Sequence, residues 1–269
     1  IEIEKTDAAA QAAAAGASTA WAATSFAERR AVLDAARALI VREGEALALL
    51  IAREQGKPVA EAHLAEILPA LDHLKHLARS GEEALASRET DPAVFLIGHK
   101  QARIEFVPLG PVLIITPWNY PFSIPITGIA AALMAGNTVV LKPAPATTLI
   151  GLALGDIFNR AGLPAGVVNV VACQDPVAAA LVVDSRFRKV LFTGSVPTGR
   201  RVMASAASQG TPVTLELGGK DPAVVCADAD LERAAAGIVW GAFLNAGQTC
   251  ASVERVYVEE GVADAFIAK

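Results

Sequence analysis

Cysteine is scarce in this chain, and the cysteines present are not spaced to pair. Cys173, Cys226 and Cys250 are odd in number, far apart and without C-x-x-C spacing. That pattern excludes a disulfide framework and suits a reducing compartment, the cytoplasm. Positive charge is also lacking. The net charge is −5 with no long basic run, which argues against a nucleic-acid partner. Apolar runs never reach membrane-spanning length, because Asn137, Lys142 and frequent Gly and Pro interrupt them, so no membrane association is expected. The start, Ile1-Glu2-Ile3-Glu4-Lys5, has no signal-peptide pattern. Histidine is sparse too: His73 and His76 stand at i, i+3 beside Asp72, with His63 earlier, and no further ligand completes a metal shell.

What the sequence has in quantity is apolar residue, 53% of 269 positions, against 19% charged. This is the balance of a buried α/β core, enough for one large domain or two modest ones. The first part reads as helical. Ser25-Phe26-Ala27-Glu28 is a capping box, and Val32, Leu33, Ala36, Leu39 and Ile40 follow at helical spacing. Gly44 is expected to punctuate that helix, Gly56-Lys57-Pro58 to end the next, and Pro69 to kink a third through Leu64–Leu74. Val94–Ile97, Gly98-His99-Lys100 and Arg103–Val107 read as a β-hairpin, either an oligomer contact or an ordinary edge ribbon.

From residue 110 strands and helices alternate. Strands are expected at 112–116, 138–141, 167–171, 190–192, 211–217, 223–226 and 253–258. Helices are expected near 124–135, 149–160, 177–183, 200–208 and 231–244. Continuous apolar strands separated by helices imply a Rossmann-like α/β fold, a parallel sheet covered by helices on both faces. Ligands bind beyond the carboxyl ends of such strands. There stand Trp118 and Asn119, Lys142, and the turn Gly194-Ser195-Val196-Pro197-Thr198-Gly199 that opens a helix and offers backbone N–H groups to a phosphate. Each has an ordinary reading beside the functional one: a Gly-x4-Gly turn is commonly just a turn, and a lysine at a strand end is commonly solvated. Cys173 and Cys226, at strand ends, are expected to pack. Cys250, in a turn after Gly247, is free to act as a thiolate nucleophile. Glu216 is either a strand glutamate facing water or a buried carboxylate whose pKa is raised towards that of a general base.

The motifs Thr116-Pro117-Trp118-Asn119-Tyr120-Pro121, Leu141-Lys142-Pro143, Phe192-Thr193-Gly194-Ser195 with Gly199, Leu215–Lys220 and Gly247–Cys250 resemble, in order and spacing, those of the aldehyde dehydrogenase superfamily. The resemblance implies oxidation of a small-molecule aldehyde with hydride transfer to NAD or NADP. By that likeness Cys250 is the nucleophile, Glu216 the base for deacylation and Asn119 the oxyanion donor beside the Cys250 backbone N–H. Thr116, Pro117, Trp118, Lys142, Gly194, Ser195, Gly199 and Leu217 are the dinucleotide contacts. Glu216 favours the hydrolytic branch over the CoA-acylating one. Many family members carry a glutamate three residues after the lysine; here that position is Pro145, which makes NADP use plausible beside NAD.

Members of the family are much longer, and this chain stops soon after Cys250. The resemblance therefore implies a piece: residues 1–217 as the dinucleotide-binding domain, with 93–108 as an oligomerisation arm, and residues 218–269 as the start of a second α/β catalytic domain. The intact protein is expected to be a homo-oligomer, and the isolated chain to be poorly stable or inactive. The alternatives are a non-catalytic dinucleotide-binding module and a thiol esterase using Cys250 and Glu216.

Overall fold

A computed structural model describes residues 3–90 and 101–269. The chain opens with α1 (Ile3–Ala22) and the long α2 (Phe26–Gln55). The capping box at Ser25 and Glu28 forms as expected, and Gly56 ends α2 in the left-handed region at φ 90°. Gly44 does not interrupt α2. It is buried within the helix, and a Cβ there would lie 3.9 Å from the Ile67 side chain, an ordinary contact distance. After α3 (Val59–Ala62) the helix widens into a π turn at His63–Ile67 before α4 (Leu68–Ala84). The irregularity expected at Pro69 thus falls one turn earlier. Proline has no N–H for the carbonyl four residues back and its ring crowds that carbonyl, and a π turn relieves both.

β1 (Arg88–Thr90) pairs antiparallel with β2 (Ala102–Ile104), Arg88 opposite Ile104. The expected strand at Val94–Ile97 and its turn lie outside the described residues. The second arm ends at Ile104, not Val107. Phe106 and Val107 beyond it are exposed.

The core follows: β3 (Val112–Ile115), α5 (Ser123–Met134), β4 (Val139–Lys142), α6 (Thr148–Arg160), β5 (Val168–Val170), α7 (Asp175–Val182), β6 (Lys189–Gly194), α8 (Val196–Ala207) and β7 (Val213–Leu217). The sheet is parallel in the order β5-β4-β3-β6-β7. Alternate residues of one strand feed opposite layers. Val112, Ile114, Val139 and Leu141 pack with α2, α4, α5 and α6, whereas Leu113, Ile115, Val140 and Phe192 pack with α7 and α8. Burial on both faces is why these strands read as unbroken apolar runs. Counted from β3, the order is that of Rossmann folds, with the chain reversing direction across the sheet between β3 and β6. The fold class expected from the pattern is the one observed.

β8 (Asp221–Val225), α9 (Leu231–Gly247), β9 (Val253–Val258) and α10 (Ala263–Ile267) complete the chain, β8 and β9 forming a separate parallel pair. Val224, Trp240, Phe243 and Tyr257 on these elements are exposed. Cys173 is buried as expected, but Cys226 is exposed, because it follows a strand of this thin sheet rather than of the covered one. Among the described residues no helix is long and apolar enough to cross a membrane, and no group of three or more His, Cys, Asp or Glu side chains is placed to hold a metal.

Candidate active site

Cys250 sits in a turn with unusual backbone geometry. The helical part of α9 gives way at Leu244, and Asn245 (φ 62°), Ala246 (φ 54°) and Gly247 (φ 72°) are all left-handed. Glycine and asparagine tolerate that region, but alanine there costs roughly 1–2 kcal/mol. The turn is held from outside. The Ala246 N–H donates to Glu61 Oε2 at 3.0 Å, and the fully buried Asn245 donates from Nδ2 to the Asn119 carbonyl at 3.0 Å. Thr249 Oγ1 donates to the Leu244 carbonyl at 3.2 Å. Its single hydrogen is then committed, so the Tyr120 hydroxyl, 2.7 Å away, is the donor to Thr249. Burial pushes the Tyr120 phenol above its ordinary pKa, which keeps it a donor.

Asn119 closes the arrangement. Its Nδ2 donates to the Gln248 carbonyl at 2.7 Å, across 129 positions of sequence. The amide and the thiol thus belong to two turns bonded to each other, and the Cys250 residue itself is exposed. An amide carries two N–H groups, so one remains for a substrate oxygen.

Glu216 is placed differently from the buried reading. It lies on β7, the edge strand, where exposure alternates. Val213, Leu215 and Leu217 turn to the core cluster, and Glu216 points to the open side. Among the described residues it makes no hydrogen bond or ion pair with Asn119 or Cys250.

Six of the residues expected to contact a dinucleotide gather at the C-terminal ends of β3, β4 and β6. Thr116, Pro117, Trp118, Lys142, Gly194 and Ser195 line one groove of about 770 Å³. Lys142 is only 4% exposed there. The buried Thr116 Oγ1 also lies on this wall and lacks a hydrogen-bond partner among the described residues, which fits a ligand hydroxyl or phosphate oxygen. Ser195 stands at the N-cap position of α8, and its Oγ donates to Thr198 Oγ1 at 3.0 Å instead of accepting from the helix backbone. Gly199 and Leu217 are not in the groove lining. A Cβ at Gly199 would stand 2.6 Å from Leu217 Cδ2, so this pair lets α8 approach β7 closely behind the groove. Pro145 is on the groove wall.

Sequence reasoning missed the support beneath both turns. In sequence Lys57 stands out only as part of a helix stop. Its Nζ is fully buried, 2.6 Å from Glu66 Oε1, 3.0 Å from the Asn119 carbonyl and 4.6 Å from the Tyr120 ring centre. Glu66 Oε2 accepts the Phe122 and Ser123 N–H groups at 3.0 and 2.8 Å. A signal existed: Ala62, Glu66, Ala70, Leu74 and Ala78 form one buried stripe, and a carboxylate in an apolar stripe requires a partner.

The aldehyde dehydrogenase family model matches residues 2–269. The chain is 43% identical over 261 residues to a betaine aldehyde dehydrogenase of Cereibacter sphaeroides, a match covering 97% of this chain and 53% of that protein. Among solved structures, an NADP-dependent enzyme of E. coli superposes with a TM-score of 0.92 at 38% identity, covering 99% of this chain and 54% of that one. An NAD-dependent aldehyde dehydrogenase of Sinorhizobium meliloti gives 0.90 at 39% identity, covering 96% and 51%. The chain spans about half the length of these relatives. A Rossmann-ordered sheet, an exposed cysteine turn bonded to an asparagine amide, and a match along nearly the whole sequence agree: the chain belongs to the aldehyde dehydrogenase family.

Proposed function

We propose that this chain carries the nucleophile and the dinucleotide cradle of an enzyme that oxidises an aldehyde to a carboxylic acid with NAD or NADP. The observation that carries the reading is the 2.7 Å bond from Asn119 Nδ2 to the Gln248 carbonyl, which sets an amide donor against the cysteine turn beside a groove suited to a dinucleotide. Residues 1–217 form the binding unit and 218–269 begin the catalytic one. The thiols suit the cytoplasm, and the ribbon of β1 and β2 is offered as a subunit contact in a homo-oligomer.

In this reading Cys250 Sγ attacks the aldehyde carbon and the carbonyl oxygen becomes an alkoxide. The second Asn119 N–H and the Cys250 backbone N–H receive that charge, each such donor being worth about 3 kcal/mol. A nicotinamide dinucleotide, when bound, supplies the hydride acceptor that leaves the acyl group on sulfur as a thioester. Lys142, Thr116 and Ser195, which line the groove, would hold its ribose and phosphate oxygens. Glu216 then takes a proton from water, which attacks the thioester and releases the acid and the thiolate. The exposed position of Glu216 suits contact with water, and its approach to the thioester depends on a swing about its own side-chain torsions.

The test is reduced-dinucleotide formation by the complete polypeptide with a panel of aldehydes, repeated with Cys250→Ala. Activity that persists in the variant removes the nucleophile from the scheme. Binding without turnover leaves a dinucleotide module, and ester cleavage without redox leaves a thiol esterase.

A further inference from the structure

The segment 55–66 sends four polar side chains to the two turns of the site. Gln55 Nε2 donates to Gln248 Oε1, Lys57 Nζ to the Asn119 carbonyl, and Glu61 and Glu66 accept from the backbone of the cysteine turn and of the α5 start. We propose that the buried Lys57–Glu66 pair is a positioning unit for the reaction: it fixes the Asn119 peptide, and through it the amide that faces the substrate oxygen. This rests on the function proposed above.

The geometry is over-determined around one carbonyl. The Asn119 oxygen accepts from both Lys57 Nζ and Asn245 Nδ2, each at 3.0 Å, so its peptide plane has little freedom. The same residue's side chain grips the Gln248 carbonyl, two residues before Cys250. Glu66, in the π turn, anchors the other side of the loop through Phe122 and Ser123. Lys57 is thereby tied to the carboxylate, the Asn119 peptide and the face of Tyr120. Burial pulls its ammonium below the ordinary lysine range, and Glu66 opposes that pull.

Stability gives a poor reason for such a pair. A buried ion pair is commonly no better than well-packed apolar residues in its place. Placement of a donor is a better one, since a displacement of about 1 Å at a reacting group can cost roughly 100-fold in rate.

Lys57→Met alone leaves a buried carboxylate without its counter-ion and endangers the fold. The test is therefore the neutral double variant Lys57→Met/Glu66→Gln, which keeps an oxygen for the Phe122 and Ser123 N–H groups, combined with Asn119→Ala in a double-mutant cycle on the complete polypeptide. We expect kcat to fall by about 10–100-fold, with the dinucleotide KM changed less than about threefold. In the Asn119→Ala background the same change should cost less than about threefold more, because the donor it positions is gone. Lys57→Arg, which keeps the charge and alters only reach and shape, should show the same coupling and serves if the neutral pair does not fold. Losses that multiply independently in the Asn119→Ala background, or full activity in the neutral pair, overturn the proposal while leaving Cys250-dependent oxidation intact. A wild-type enzyme without Cys250-dependent oxidation overturns the proposed function, and this inference with it.

Discussion

Asn245 offers a measurement that separates backbone from side chain in the cysteine turn. It is fully buried, sits at φ 62° and ψ 39°, and donates to the Asn119 carbonyl at 3.0 Å. That carbonyl keeps Lys57 as a second donor, so deleting the asparagine amide strands no acceptor. The loss is the bond to the Asn119 carbonyl and a longer one to the Gln248 carbonyl at 3.4 Å, together about 1–2 kcal/mol, and a small void. Asn245→Gly removes these while easing the left-handed backbone, for a net cost of roughly 1–2 kcal/mol. Asn245→Ala removes the same contacts and places a Cβ in the left-handed region, adding about 1–2 kcal/mol. The alanine variant should therefore be the less stable by at least ~1 kcal/mol, or about 2–4 °C in Tm for a chain of this size. Urea and thermal unfolding, followed by tryptophan fluorescence, give both values. Equal stabilities for the two variants, or a more stable alanine variant, would refute the claim that the fold holds residue 245 in the left-handed region.

Two surface changes carry further expectations. Glu43 makes paired 2.7 Å bonds to Arg160, and these, with Arg42, hold its carboxyl down at about 2, below the ordinary 4.5. A depressed carboxylate stabilises the fold above its unfolded pKa and loses that contribution as pH falls through the folded one. The Tm gap between wild type and Glu43→Gln should thus be widest near neutrality, about 2–3 °C at most for an exposed pair. It should close between pH 4.5 and about 2; a gap that widens towards acid contradicts the assignment. Pro145→Glu puts a carboxylate on the groove wall, where it can hold ribose hydroxyls and repel a 2′-phosphate. The ratio of kcat/KM for NAD over NADP should rise about tenfold or more, and an unchanged ratio would place the adenosine ribose elsewhere.

The secondary structure from residue 110 onward was legible because the central strands β3 and β4 are buried on both faces, the edge strand β7 alternates and the helices bury one face, which writes distinct periods into a dozen residues at a time. That alternation also located Thr116, Trp118, Lys142 and Ser195 at strand ends, where the groove proves to be. Cys250 and Asn119 were legible through their flanking motifs. For Glu216 the sequence leaves two faces open, because a strand's period is visible in it but its place at the sheet edge is not. The same blindness applied to the close approach of Gly199 to Leu217, which no local pattern announces.

The sequence by itself therefore determined the alternation of elements, the two-faced core and the ends of the strands that gather polar groups, since those rest on local periodicity and backbone preference. Only the tertiary structure decided which side chains meet. Lys57 reaches Asn119 across 62 positions and Asn119 reaches Gln248 across 129. Such partnerships form when α2, the π turn and the cysteine turn pack beside one another, and the hydrogen-bonding capacity of each residue type alone does not select its partner.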